Sequence, residues 1–223
     1  MSISYNSSIL TNGLVLCLDA GNPRSYPGSG TIWSSVSGNV ATGTLTNGVT
    51  YSSTNTGILV FDGVDDRVNV VNSIPSLSNL TIELFLRTSV VDGTQNIFLD
   101  QFLSLRYEIS PTTNKFNIHL GNGSSWAYTS LPSTTTVVAN TWYQTAWTWN
   151  GSTAVMYVNG VAENSLSNAA FSSGTGNITL GQHTPDVSYA WAGSMGSVKI
   201  YNTALTSDQV LQNFNATRGR YGV

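Results

Sequence analysis

The sequence predicts an all-β chain, a two-sheet antiparallel β-sandwich with one short C-terminal helix. Three observations carry this expectation. Residues 141–162 read TWYQTAWTWNGSTAVMYVNGVA, with Asn150-Gly151 and Asn159-Gly160 set between β-forming runs. Asn-Gly is the strongest short signal for a two-residue type I′ hairpin, because both turn residues must accept positive φ. The segment therefore predicts three consecutive antiparallel strands. Trp142, Gln144, Ala146 and Thr148 point one way from the first of them, and Tyr143, Thr145, Trp147 and Trp149 the other. Both faces carry apolar groups, which places the meander in the middle of a sheet. Leu80–Thr88 alternates in the same way, with Leu80, Ile82, Leu84 and Leu86 opposite Thr81, Glu83, Phe85 and Arg87. Finally, 40% of the 223 residues are hydrophobic but only 9% are charged, against about a quarter in an average domain.

Taken in order, residues 1–12 form a polar lead-in and 13–223 a single domain, a normal size for one sandwich. Residues 13–20 make the first strand. Residues 21–48, rich in Gly, Pro and Ser, read as a long ordered loop with short strand pieces. Strands follow at 49–51, 57–61, 64–71 and 80–88. The series continues at 96–102, 103–110, 115–120 and 126–131, then passes through the meander to 177–182 and 196–201. Thr206 is placed to cap a helix, with Gln209 closing a capping box and Leu205 and Val210 forming a hydrophobic staple. Val210, Leu211 and Phe214 would dock this helix, which should end near Asn215.

Several function classes are disfavoured. A net charge of −3 with no basic patch argues against nucleic acid as a partner. No run approaches transmembrane length, so membrane insertion is not expected, and residues 1–8 have neither the basic nor the apolar region of a signal peptide. Cys17 is the only cysteine and, in LVLCL, reads as a small buried hydrophobe. A surface of neutral hydroxyls and amides suits an extracellular or virion setting.

Five segments together resemble the laminin G-like branch of the concanavalin A-like lectin/glucanase superfamily. They are Phe61-Asp-Gly-Val-Asp-Asp-Arg-Val68, Leu80-Thr-Ile-Glu-Leu-Phe85, the meander ending Val155-Met-Tyr-Val-Asn-Gly160, Asn177-Ile-Thr-Leu-Gly181, and residues 191–211 with their closing helix. The resemblance implies a concanavalin A-like jelly roll whose first strand lies beside residues 198–201. The wording of residues 13–23 and 211–220 is similar to versions encoded by tailed bacteriophages. That similarity implies a virion protein made in a host cytoplasm, a capsid decoration or tail-associated module, with other virion proteins as partners on one side and a polysaccharide on the other. A free carbohydrate-binding lectin and a glycan hydrolase are the alternatives.

Catalysis is not expected. Retaining glycosidases need two carboxylates roughly 5–5.5 Å apart, supplied in the superfamily's hydrolases by Glu-x-Asp-x-x-Glu on one strand. Here Glu83, Glu108 and Glu163 each lack a carboxylate two residues away. No nucleophile elbow or phosphate loop is present. His119 and His183 are far apart in sequence and outside any metal-spaced cluster.

No cofactor is expected, and calcium is the one candidate metal. Asp62, Asp65 and Asp66 cluster in one turn as hard oxygen donors; each also reads as a turn aspartate capping backbone amides. Asp19 and Asn22 form a second oxygen-rich turn. The resemblance implies a rim calcium assisted by a carboxylate just before the last strand, where this chain has Gly196-Ser197. For glycan or partner contact the candidates are Trp33, Trp126, Tyr128, Tyr189 and Trp191, aromatics in or beside Ser-, Asn- and Gly-rich loops. Aromatic faces stack on sugar rings and anchor protein interfaces, and each can equally anchor its own loop.

Overall fold

A computed structural model describes residues 8–38, 41–71, 78–93, 96–167, 169, 171–172, 176–183 and 189–223, the side chains of 127–129 excepted. In chain order the first eight strands are β1 (Leu14–Asp19), β2 (Ile32–Ser34), β3 (Thr42–Thr46), β4 (Thr50–Ser52), β5 (Ile58–Asp62), β6 (Arg67–Val71), β7 (Leu80–Thr88) and β8 (Asn96–Gln101). The rest are β9 (Leu105–Ile109), β10 (Lys115–Gly121), β11 (Trp126–Thr136), β12 (Tyr143–Trp149), β13 (Ala154–Val158), β14 (Val161–Leu166), β15 (Ile178–Leu180) and β16 (Ala192–Tyr201). They form two antiparallel sheets. The first runs β14-β13-β12-β7-β16-β5-β4, and the second β11-β10-β9-β8-β15-β6-β3-β2. One edge of β16 serves two partners in succession: Ala192–Met195 pair with β5 and Ser197–Tyr201 with β1. The first strand thus lies beside the last, as the family resemblance implies.

Period-2 alternation decides which side chains meet between the sheets. From the first sheet come Leu80, Ile82, Leu84, Leu86, Tyr143, Trp147 and Trp149; from the second come Val68, Val70, Leu105, Tyr107, Phe116, Ile118 and Leu120. The predicted faces of the meander are the observed ones, but its position differs from expectation. β12 and β13 are interior strands, whereas β14 ends the sheet and is largely exposed. Glu163 on β14 ties that edge to the other sheet by accepting from the backbone amides of Thr134 and Thr135 at 2.8 and 2.9 Å.

The two Asn-Gly pairs also part company. Val158 pairs directly with Val161, leaving two turn residues, and Asn159 and Gly160 take φ of 49° and 78°, as a type I′ turn requires. Trp149 pairs with Ala154, leaving four residues in the other loop. Asn150 does not adopt positive φ; its Oδ1 accepts from Ser152 N at 3.1 Å and Thr153 N at 2.8 Å, an Asx-type cap.

The outer face of the first sheet is covered by α1 (Ser207–Thr217) and the residues after it. Thr206 and Gln209 form the predicted capping box, and Leu205 and Val210 pack together with Ala146, Tyr157 and Tyr201. Tyr221 stacks on Phe85 at 4.3 Å, beside Phe214 and Trp142. Beneath the helix lies a polar row. Glu83 is 1% exposed and accepts from Asn213 Nδ2 at 3.0 Å through each carboxylate oxygen. Burial raises its pKa, opposed by the charge of Lys199 and the Asn213 bond. Asn213 also accepts from Leu10 N at 2.8 Å, pinning the lead-in to the helix. Cys17 is buried, and burial pushes its thiol pKa up.

Candidate functional site

Alternation on the second sheet sends one set of side chains away from the core. In register across seven strands these are Thr44, Asn69, Thr179, Asp100, Arg106, His119 and Ser130, every one polar. Their chain neighbours Val68, Val70, Leu180, Leu99, Leu105, Ile118 and Leu120 face the core. An outward row of this kind would normally be solvated, yet Asp100 is 0% exposed. His183, just after β15, lies against it.

Arg106 stands at the centre. Its Nη2 lies 3.1 Å from Nε2 of His183, and Nδ1 of His183 lies 3.1 Å from Oδ1 of Asp100. With the proton on Nδ1, Nε2 accepts from the guanidinium while Nδ1 faces the carboxylate. Arg106 Nε is 3.8 Å from the same carboxylate. On its other side the guanidinium lies over the Trp126 ring, 4.8 Å from the centroid. A second imidazole–carboxylate pair adjoins it, with His119 Nε2 3.0 Å from Glu108 Oε1. Asn117 lies 2.9 Å from the same ring nitrogen and accepts from Ser130 Oγ at 2.8 Å. Tyr189 and the exposed Phe102 flank His183, with centroids at 6.0 and 6.2 Å. The face therefore offers aromatic surface beside hydrogen-bonding groups whose own partners hold them in place.

The predicted aromatics divide. Trp126 and Tyr189 are half-buried on this face. Trp33 and Trp191 are 0% exposed and belong to the core, Trp191 packing against Phe61 at 5.3 Å and Phe98 at 6.1 Å. Their polar, glycine-rich flanks suggest loop tips, but each indole fills space between the sheets, so neither can stack on a ligand. The side chain of Tyr128 lies outside the described residues. Sequence reasoning missed Asp100, Arg106, Glu108 and the joint role of His119 and His183. Period 2 marks Arg106 with Glu108, and Asn117 with His119, as outward; strand register sets His119 opposite Arg106, and the chain after β15 brings His183 to the same arginine.

Two oxygen-rich turns bear on metals. Asp19 pairs with Ser197, so the rim position implied by the family resemblance is identifiable. Its residues do not fit calcium. Gly196 and Ser197 bring no carboxylate, and Arg220 fills the place, donating to Asp19 Oδ1, to Gly57 O and, at 2.6 Å, to Asn55 O. Asp62, Asp65 and Asp66 are brought together, one carboxylate oxygen of each lying within 4.8 Å of the others. Burial raises the Asp66 pKa, helped by the charges of Asp62 and Asp65 and opposed by the Asp62 amide.

The fold has well-populated company. The binding domain of Paraclostridial Mosquitocidal Protein 1 superposes with a TM-score of 0.75 at 14% identity, over 92% of this chain and 52% of that one. The botulinum neurotoxin serotype D ligand binding domain, solved with N-acetylneuraminic acid, gives 0.73 at 14% identity over 92% and 51%. Domain 4 of AbnA, a GH43 extracellular arabinanase from Geobacillus stearothermophilus solved with arabinotriose, gives 0.69 at 17% identity over 90% and 97%. The chain thus spans about half of the toxin domains and nearly all of the arabinanase domain. Among curated proteins no sequence matches it. The laminin G-like family described as the concanavalin A-like lectin/glucanases superfamily matches residues 61–211, and the chain belongs to that family.

Proposed function

We propose that this protein is a non-catalytic carbohydrate-binding module whose ligand lies on the outer face of the second sheet. The observation that carries the reading is Trp126, half-buried over Arg106, which is itself held by the His183–Asp100 pair. Indole and phenol faces at Trp126 and Tyr189 would stack on the apolar face of a sugar ring, while Arg106, His119 and Ser130 bond its hydroxyls. The sugars named with the botulinum domain and the arabinanase domain support a glycan as the ligand class. A glycan array tests it: binding should appear and weaken on Trp126→Ala, and an array without hits would overturn the reading. The hydrolase alternative has Asp100 and Glu108 on neighbouring strands of this face. Reducing-sugar release from a bound glycan, lost in Asp100→Asn or Glu108→Gln, would favour it.

We further propose display on a virus particle, as a capsid decoration or tail-associated module docked on other virion proteins. The phage-like wording of residues 13–23 and 211–220 and the sparsely charged composition support this. Mass spectrometry of purified particles should find the chain at fixed stoichiometry. Finding it only in the lysate would leave the free lectin as the reading.

A further inference from the structure

We propose that the turn between β5 and β6 is a calcium site built by Asp62, Asp65 and Asp66, independent of the glycan reading and distinct from the rim position that Arg220 fills. The spacing suits the ion. Oxygens sharing one calcium at about 2.3–2.6 Å can lie up to about 4.6–5.2 Å apart, whereas magnesium at about 2.0–2.1 Å allows only about 4.0–4.2 Å. The three carboxylates, with one oxygen each within 4.8 Å of the others, fall inside the calcium limit.

Local bonds orient the donors and leave oxygens over. Asp62 Oδ1 caps Val64 N at 2.8 Å, and Asp66 Oδ2 accepts from Asp62 N at 2.9 Å. The other oxygen of Asp66 is the telling one. Asp66 is 3% exposed, and its Oδ1 receives no hydrogen bond. A buried carboxylate oxygen without a donor is costly unless a cation satisfies it. No protein cation does so: among the described residues none of the three aspartates forms an ion pair. Gly48 keeps the approach clear, since a Cβ there would lie 3.2 Å from Asp66 Oδ1. Solvent enters from the side of Asp62, which is exposed, and water would complete the shell. The bound ion would brace a turn joining the two sheets and packed on Gly181, where a Cβ would lie 2.9 Å from Asp66 O.

The test is a calcium chloride titration of the chelator-stripped full chain, followed by calorimetry and thermal melting. One saturable site is expected, with Tm rising as it fills. Magnesium at equal concentration should raise Tm less. Asp65→Asn should weaken calcium binding at least tenfold while the calcium-free Tm stays at the wild-type value, because the Asp65 carboxylate makes no hydrogen bond among the described residues; Asp66→Asn should abolish binding, though it also alters a buried group. Absence of heat and of a Tm shift, an Asp65→Asn response equal to wild type, or an equal effect of magnesium would each overturn the assignment.

Discussion

His183 Nδ1 lies 3.1 Å from Asp100 Oδ1, although Asp100 lies on β8 and His183 in the chain after β15, 83 positions apart by their numbers. This contact turns an outward-facing carboxylate with no exposure into an anchor for the imidazole, which in turn holds Arg106 under Trp126. Arg106 is thereby pre-organised, and a ligand need not bear the cost of ordering it.

His183→Ala removes one of the groups facing a fully buried carboxylate. The expected loss is about 1–3 kcal/mol of stability, read by urea denaturation, together with weaker glycan binding as Arg106 loses its rest. Unchanged stability and binding would mean that the imidazole merely covers the sheet.

The buried Glu83 predicts a pH dependence. Its pKa is raised in the folded chain by burial, so the folded state takes up the proton more readily than the unfolded one. That contribution to stability is fully present below the unfolded carboxylate value and is lost as pH rises through the higher folded value. Denaturation of wild type and Glu83→Gln across this window checks it. The stability of wild type relative to the variant should increase as pH falls. A difference independent of pH would contradict the burial argument.

The two Asn-Gly turns predict unequal costs. Gly160 holds φ of 78°, and a Cβ there would approach Leu211 Cδ1 to 2.9 Å. Gly160→Ala should cost about 1–2 kcal/mol from the left-handed backbone alone, plus the clash with α1. Asn150→Ala loses two side-chain caps on exposed amides and should cost about 0.5–1.5 kcal/mol. Thermal melts of both variants measure the ranking.

The fold was legible wherever local rules suffice. The alternation of Leu80–Thr88 recurs as β7 with those bounds, and the capping box at Thr206 and Gln209 is observed in full. Both depend only on residues within one element. The misjudged turn at Asn150 shows the limit, because loop length follows from the pairing of Trp149 with Ala154 across strands, which no dipeptide encodes. The candidate site lay further beyond reach. Asp100, Arg106 and His119 come from separate strands and meet through register, while His183 arrives over them from the chain after β15. Trp33 and Trp191 misled for the converse reason: Gly-, Ser- and Asn-rich flanks mark loops, and here Trp33 sits on the three-residue β2 and Trp191 just before β16, with both indoles buried in the core.

The proposed recognition surface is the outer face of the second sheet, with Trp126 as its aromatic platform. Glycan titration of Trp126→Ala, with its melting curve measured alongside, tests this most directly. At least tenfold weaker binding with a melting temperature near wild type is expected, whereas Trp191→Ala, emptying the core, should cost about 3–5 kcal/mol of stability. Undiminished binding by a folded Trp126→Ala chain would contradict it.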